Sequence, residues 1–86
     1  MEELTKMELL LLYGMKKAGV PEEDAVPTSI VLKTEEEQAR LIQFMMDYPE
    51  ATPDDIMNEV ADILDSKHPR YTRQQVEDII RRLKES

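Results

Sequence analysis

Three threonines in this chain stand where a helix has to begin. Thr34 is followed three residues later by Glu37, and Thr72 by Gln75. Each pair predicts a capping box, in which two side chains satisfy backbone N–H groups that the first helical turn leaves open. Thr52 precedes Pro53, Asp54 and Asp55: a cap, then proline at the first helical position, then acids where the helix dipole favours them. Pro49 and Pro69 close the helices before them, because the residue preceding a proline is pushed out of the α region. The apolar spacing agrees with this punctuation. Leu41, Ile42, Met45 and Tyr48 form a stripe on a helix over 35–48. Ile56, Met57, Val60, Ala61, Ile63 and Leu64 mark a second helix ending near Lys67, and Val76, Ile79, Ile80 and Leu83 a third. Capped helices with short connections pack on one another, so residues 34–86 read as a three-helix unit.

The N-terminal third is written differently. A helix is expected from about Glu3 to Ala18, with Lys16 and Lys17 complementing the dipole in its last turn and Gly19 at the position after its cap. Leu4, Met7, Leu11, Met15 and Ala18 give one stripe. Leu9, Leu10, Leu12 and Tyr13 widen it until it nearly encircles the helix, a pattern normally seen where a helix is covered on more than one side. Gly14 in its middle allows close packing or a mild bend. Over 20–33 the signals conflict. Pro21 with Glu22, Glu23 and Asp24 looks like a helix start, Pro27 opposes its continuation, and Ile30-Val31-Leu32 fits either a short strand or a buried helical turn; helical turns are the preferred reading. The expectation is an all-α single domain over 1–86. It has a four-helix architecture, with a fifth helix if 21–33 folds as one: an N-terminal helix and connector over 1–33, then the three-helix unit over 34–86.

Composition limits the chemistry. No cysteine is present, so neither disulfides nor thiolate metal sites are available. No segment approaches the roughly 20 apolar residues a membrane span requires. Glu2 and Glu3 occupy the place of a signal peptide's basic region; the expected location is the cytoplasm. The net charge is −8, and it is unevenly placed: residues 1–66 hold 5 Lys/Arg against 16 Asp/Glu, and residues 67–86 hold 6 against 3. An acidic chain does not attract nucleic acid in general, since phosphate binding depends on Lys and Arg. Catalysis is not expected either. His68 is the only histidine and stands before a proline in a turn, with no cysteine nucleophile, glycine-rich phosphate loop or serine elbow beside it. Asp54, Asp55 and Glu59 lack the spacing of a calcium loop. No cofactor or metal is implied.

Ala51-Thr52-Pro53-Asp54-Asp55-Ile56, the turn Lys67-His68-Pro69-Arg70-Tyr71-Thr72 and the spacing from Val76 to Leu83 together resemble the helix-turn-helix core of winged-helix regulators of the Fur type. The likeness covers Leu41 to Leu83. It implies a DNA-binding regulator whose last helix reads the major groove. The DNA contacts would then be Arg73, Gln74 and Gln75 at the start of that helix, with Lys67, Arg70, Arg81, Arg82 and Lys84 on phosphates. The chain departs from the pattern where it matters for that activity. Glu77 and Asp78 occupy positions at which the family carries a Tyr-Arg pair facing the backbone, and carboxylates there repel phosphate. With Ser86 last, no wing is expected, and one histidine without cysteine cannot rebuild the family's metal-binding dimerisation domain.

More apolar surface is available than a four-helix monomer needs. Six methionines are present, and methionine suits both adaptable cores and plastic binding faces. Leu9, Leu12, Tyr13, Phe44 and Met46 fall outside the main stripes and are the candidate protein interface. The leading expectation is a non-catalytic protein-interaction module, with self-association one form of it. The runner-up is a DNA-binding regulator using the last helix. A third reading is an acidic inhibitor that imitates nucleic acid, for which the 16 acids of the first 66 residues are the motive.

Overall fold

In the computed structural model residues 5–65 and 70–85 are described. They fold as five helices with no strand among them: α1 Lys6–Lys17, α2 Glu22–Val31, α3 Glu35–Asp47, α4 Pro53–Asp65 and α5 Arg73–Glu85. The all-α expectation holds, with the fifth helix present. None of these helices is long and apolar enough to cross a membrane.

Four helices start on the same device. At α3 the Thr34 hydroxyl accepts from the Glu37 N–H at 3.2 Å, while the Glu37 carboxylate accepts from the Thr34 N–H at 3.2 Å. Thr72 and Gln75 make the same exchange at 3.2 and 2.8 Å, and Thr52 makes it with Asp55 at 3.2 and 3.1 Å. The fourth box, Thr5 with Glu8, moves the start of α1 from the expected Glu3 to Lys6. At the other end of α1, Gly19 adopts φ 97°. Its N–H donates to the Lys16 carbonyl and the Val20 N–H to that of Met15, the paired bonds of a Schellman turn. Val20 and Met15 are both buried beside that turn.

Pro27 does not break α2. A proline there removes one intrahelical bond of a short helix. The next two residues supplement the ladder: the Thr28 and Ser29 hydroxyls donate to the Asp24 and Val26 carbonyls, both at 2.8 Å. Both side chains are buried, while Ile30 and Val31 belong to the last turn of α2 and are exposed, so this stretch is helix and not strand.

All five helices and their connections supply one apolar cluster. It includes Met7, Leu11 and Met15 of α1, Leu41, Ile42 and Phe44 of α3, Ile56, Val60 and Ile63 of α4, and Val76, Ile79 and Leu83 of α5. The centres of the expected stripes are therefore buried, but the edges are not. On α4 Ala61 and Leu64 are exposed, on α1 Ala18 is half-buried and Leu4 lies outside the described residues, and on α3 Phe44 takes the place expected of Tyr48. α1, α4 and α5 pack on α3, and α2 packs on α1. Gly14 lies against Met45, so that a Cβ at that position would stand 2.7 Å from the Met45 Cε. The glycine thus leaves room for the end of the Met45 side chain between α1 and α3.

Replacing Thr34 by Ala removes one half of a capping box at the helix on which the others pack. The expected loss is about 1 kcal/mol, read from urea denaturation with an unchanged slope. A loss below the error of that measurement would mean that the box contributes nothing to stability.

Candidate functional site

Two depressions meet at the turn that joins α3 to α4. The first is a groove of about 490 Å³ between α1 and α3, walled by Leu10, Tyr13, Gly14, Ala18, Met45 and Met46 and closed at one end by Tyr48, Pro49 and Ala51. Its rim is open and mostly apolar, with Tyr13 67% exposed, Met46 59% and Tyr48 48%; Lys17, also exposed, is the one charged residue among its described lining. Their exposure follows from the helical period. On α1, Met7, Leu11 and Met15 face the core, which turns Gly14, Leu10 and Tyr13 progressively to one side.

The second depression, about 620 Å³, lies on the other side of the same turn. Its walls carry Asp47, Glu50, Asp55, Glu59 and Asp62 together with Phe44, Tyr48, Asn58 and Arg70. Glu59 is 5% exposed. Its burial follows from its place on α4, on the same face as Ile56, Val60 and Ile63. Arg70 meets it with two parallel hydrogen bonds, Nη2 to Oε1 at 3.0 Å and Nε to Oε2 at 3.2 Å. The guanidinium also lies 5.1 Å from the centre of the Phe44 ring and 5.4 Å from that of Tyr48. The two rings are themselves 5.0 Å apart. Charge, fork geometry and two aromatic faces all suit arginine and would not suit lysine equally. The hydrogen bond to Glu59 raises the Arg70 pKa above its already high ordinary value, against the opposing effect of burial.

Beside it, Tyr71 donates to Asp47 Oδ2 at 2.8 Å. The Gln43 amide donates to the other oxygen of Asp47 at 2.8 Å and accepts from Arg82 at 2.9 Å. This chain of bonds ties α5 and the segment leading into it to the C-terminal half of α3. Burial, followed by the bond to Asp47 and the charge of Asp47, pushes the Tyr71 phenol well above its ordinary value.

Of the expected interface residues, Tyr13 and Met46 come together on the groove. Leu9 is 54% exposed but lies outside it, on the side of α1 away from the core, and Leu12 is half-buried and also outside the lining. Phe44 is corrected: it is 7% exposed and belongs to the core, because α3 is covered by three helices and Arg70 and has little free circumference. Of the expected DNA contacts, Arg70 is committed to Glu59. Arg73 and Arg81 lie 3.8 Å from Glu77 and Asp78 on their own helix, Arg82 donates to Gln43, and Gln74 is exposed. Lys84 pairs with Glu35 at 2.7 Å, and Gln75 is used as a cap. Lys67 and His68 lie outside the described residues. Asp54, Asp55 and Glu59 are not gathered around a common point, and no metal-binding group of three or more His, Cys, Asp or Glu occurs among the described residues. Glu59 was missed as a buried group, although its spacing from Ile56 and Val60 places it on the apolar face.

No family model, curated protein or solved structure matches the chain.

Arg70→Ala strands a buried carboxylate. It is expected to cost about 1.5 kcal/mol in urea unfolding, since the guanidinium is itself partly exposed, and adding Glu59→Met should recover most of that loss; equal instability of the single and double variants would contradict the pairing. Tyr71→Phe removes a hydrogen bond and is expected to cost about 1 kcal/mol at pH 7. The phenol's folded-state pKa is raised, so its contribution is complete below about pH 10, the unfolded value, and is lost as pH climbs from there towards the folded one. The gap between wild type and Tyr71→Phe should therefore hold up to about pH 10 and narrow above it, towards about pH 11. A constant gap across that range would refute the assignment.

Proposed function

We propose that the chain is a non-catalytic protein-interaction module whose groove between α1 and α3 receives the apolar face of a partner helix. The observation that carries this reading is the open apolar rim of Tyr13, Met46 and Tyr48 around a groove of about 490 Å³. A cleft between two helices presents ridges at helical spacing, which is how an amphipathic segment is held by anchors at every third or fourth residue. Methionine at the rim and at Met45 in the wall gives a lining that adapts to the shape of its occupant. The net charge of −8 favours a basic partner and opposes close approach of a second copy. The likeness to a Fur-type helix-turn-helix core is taken as one of architecture. The arginines and lysine of α5 are met by carboxylates or an amide of this chain, which supports protein over DNA as the partner.

Selection from a displayed library of amphipathic helical peptides tests the reading. Peptides that bind the wild type are expected to lose affinity at least about tenfold, or 1.4 kcal/mol, against Tyr13→Asp or Met46→Asp. Both positions are exposed, so the fold of these variants should be retained. Binders indifferent to both substitutions would refute the groove as the docking face. Retardation of random duplex DNA at about 50 mM salt, lost in Arg73→Ala, would instead favour the regulator reading.

A further inference from the structure

The groove and the acidic depression share the wall formed by Tyr48, Pro49 and Ala51. We infer that they act as one composite site, taking a helical segment whose apolar face fills the groove and whose adjoining arginine reaches over Tyr48 into the acidic side. The inference rests on the docking reading above and adds the chemistry of the partner. Three observations support it.

The first is continuity. Tyr48 lines both depressions and is nearly half exposed, so an occupant of the groove lies within a side chain's length of the acidic walls. The second is charge. Among the described residues lining the acidic side there are five carboxylates and one cation, Arg70. Three of the five are engaged within the fold: Glu59 by Arg70, Asp55 by the cap of α4, and Asp47 by Tyr71 and Gln43. Glu50 and Asp62, both exposed, are left to meet an incoming cation. The third is the example of Arg70 itself. A guanidinium already lies here between a carboxylate and two aromatic rings, and the exposed ring of Tyr48 extends the same chemistry towards the groove. Arginine, with its planar fork and its affinity for aromatic faces, fits such surroundings better than lysine.

The test uses a groove-binding peptide with an arginine next to its apolar face and a copy with glutamine at that position. Each is titrated by fluorescence anisotropy against the wild type, Met46→Asp and the double variant Glu50→Gln, Asp62→Asn. The arginine peptide is expected to bind the wild type about tenfold tighter than the copy. That advantage should vanish in the double variant and shrink as salt rises, while Met46→Asp weakens both peptides. Equal affinity of the two peptides for the wild type, with Met46→Asp still weakening both, overturns the composite site and leaves the groove standing. An arginine advantage that survives the double variant also overturns it. Binding unaffected by Met46→Asp, or the absence of any peptide that depends on Met46, overturns both readings.

Discussion

Everything in this fold depends on α3 being covered from several directions at once. α1, α4 and α5 all pack on it, and five of its thirteen residues are buried: Gln38, Ala39, Leu41, Ile42 and Phe44. A short helix stripped of these neighbours would be marginal in water, since its stability comes from tertiary packing more than from propensity. The arrangement also explains the buried glutamine. The Gln38 amide donates to the Leu32 carbonyl at 2.8 Å, which satisfies the end of α2 at the point where the chain turns into α3. Among the described residues no buried side-chain polar atom lacks a partner, so the several-sided cover of α3 is obtained without an unmet hydrogen bond.

The candidate site is a consequence of that cover being incomplete. Where Gly14 lets α1 approach Met45, the two helices leave an open apolar cleft beside the contact. At the C-terminal end of α3, Arg70 lies across the rings of Phe44 and Tyr48. Arg70 is held there by Glu59 and by nothing as strong; the pair therefore fixes both the lead into α5 and the orientation of the Tyr48 ring. An ion pair with one buried partner is weak evidence for stability, because desolvation of the carboxylate offsets much of the attraction. Its better-supported role here is geometric: it permits one arrangement of the turn that separates the apolar groove from the acidic side.

The caps were legible in the sequence because capping is local. The hydroxyl and its partner lie three residues apart, and little in the tertiary structure can override them; the Gly19 turn is legible for the same reason. Thr5 with Glu8 carried the same signal and fixes the start of α1 at Lys6. Phe44 was misplaced because apolar spacing assumes that a helix buries one stripe, whereas α3 buries most of its circumference. The burial of Glu59 is not legible, because the burial of a carboxylate depends on a partner eleven residues further along the chain. Pro27 was given too much weight, since one lost bond is a small cost in a helix whose next two side chains bond back to its own carbonyls. Of the candidate interface, Tyr13 and Met46 were legible as surplus apolar positions. That they share a groove while Leu9 does not depends on how α1 is rotated against α3, which no local pattern specifies.

Exposed apolar side chains offer the groove, with Tyr13 and Met46, and, away from it, Leu9 on α1 with Val26 and Ile30 on α2. Methyl-resolved NMR of the chain titrated with a groove-selected peptide distinguishes them most directly. The expected result is movement of the Met45, Met46 and Leu10 methyl signals, with those of Leu9, Val26 and Ile30 stationary. Movement of Leu9, Val26 and Ile30 with Met46 unchanged would place the interface away from the groove and contradict the groove as the working surface.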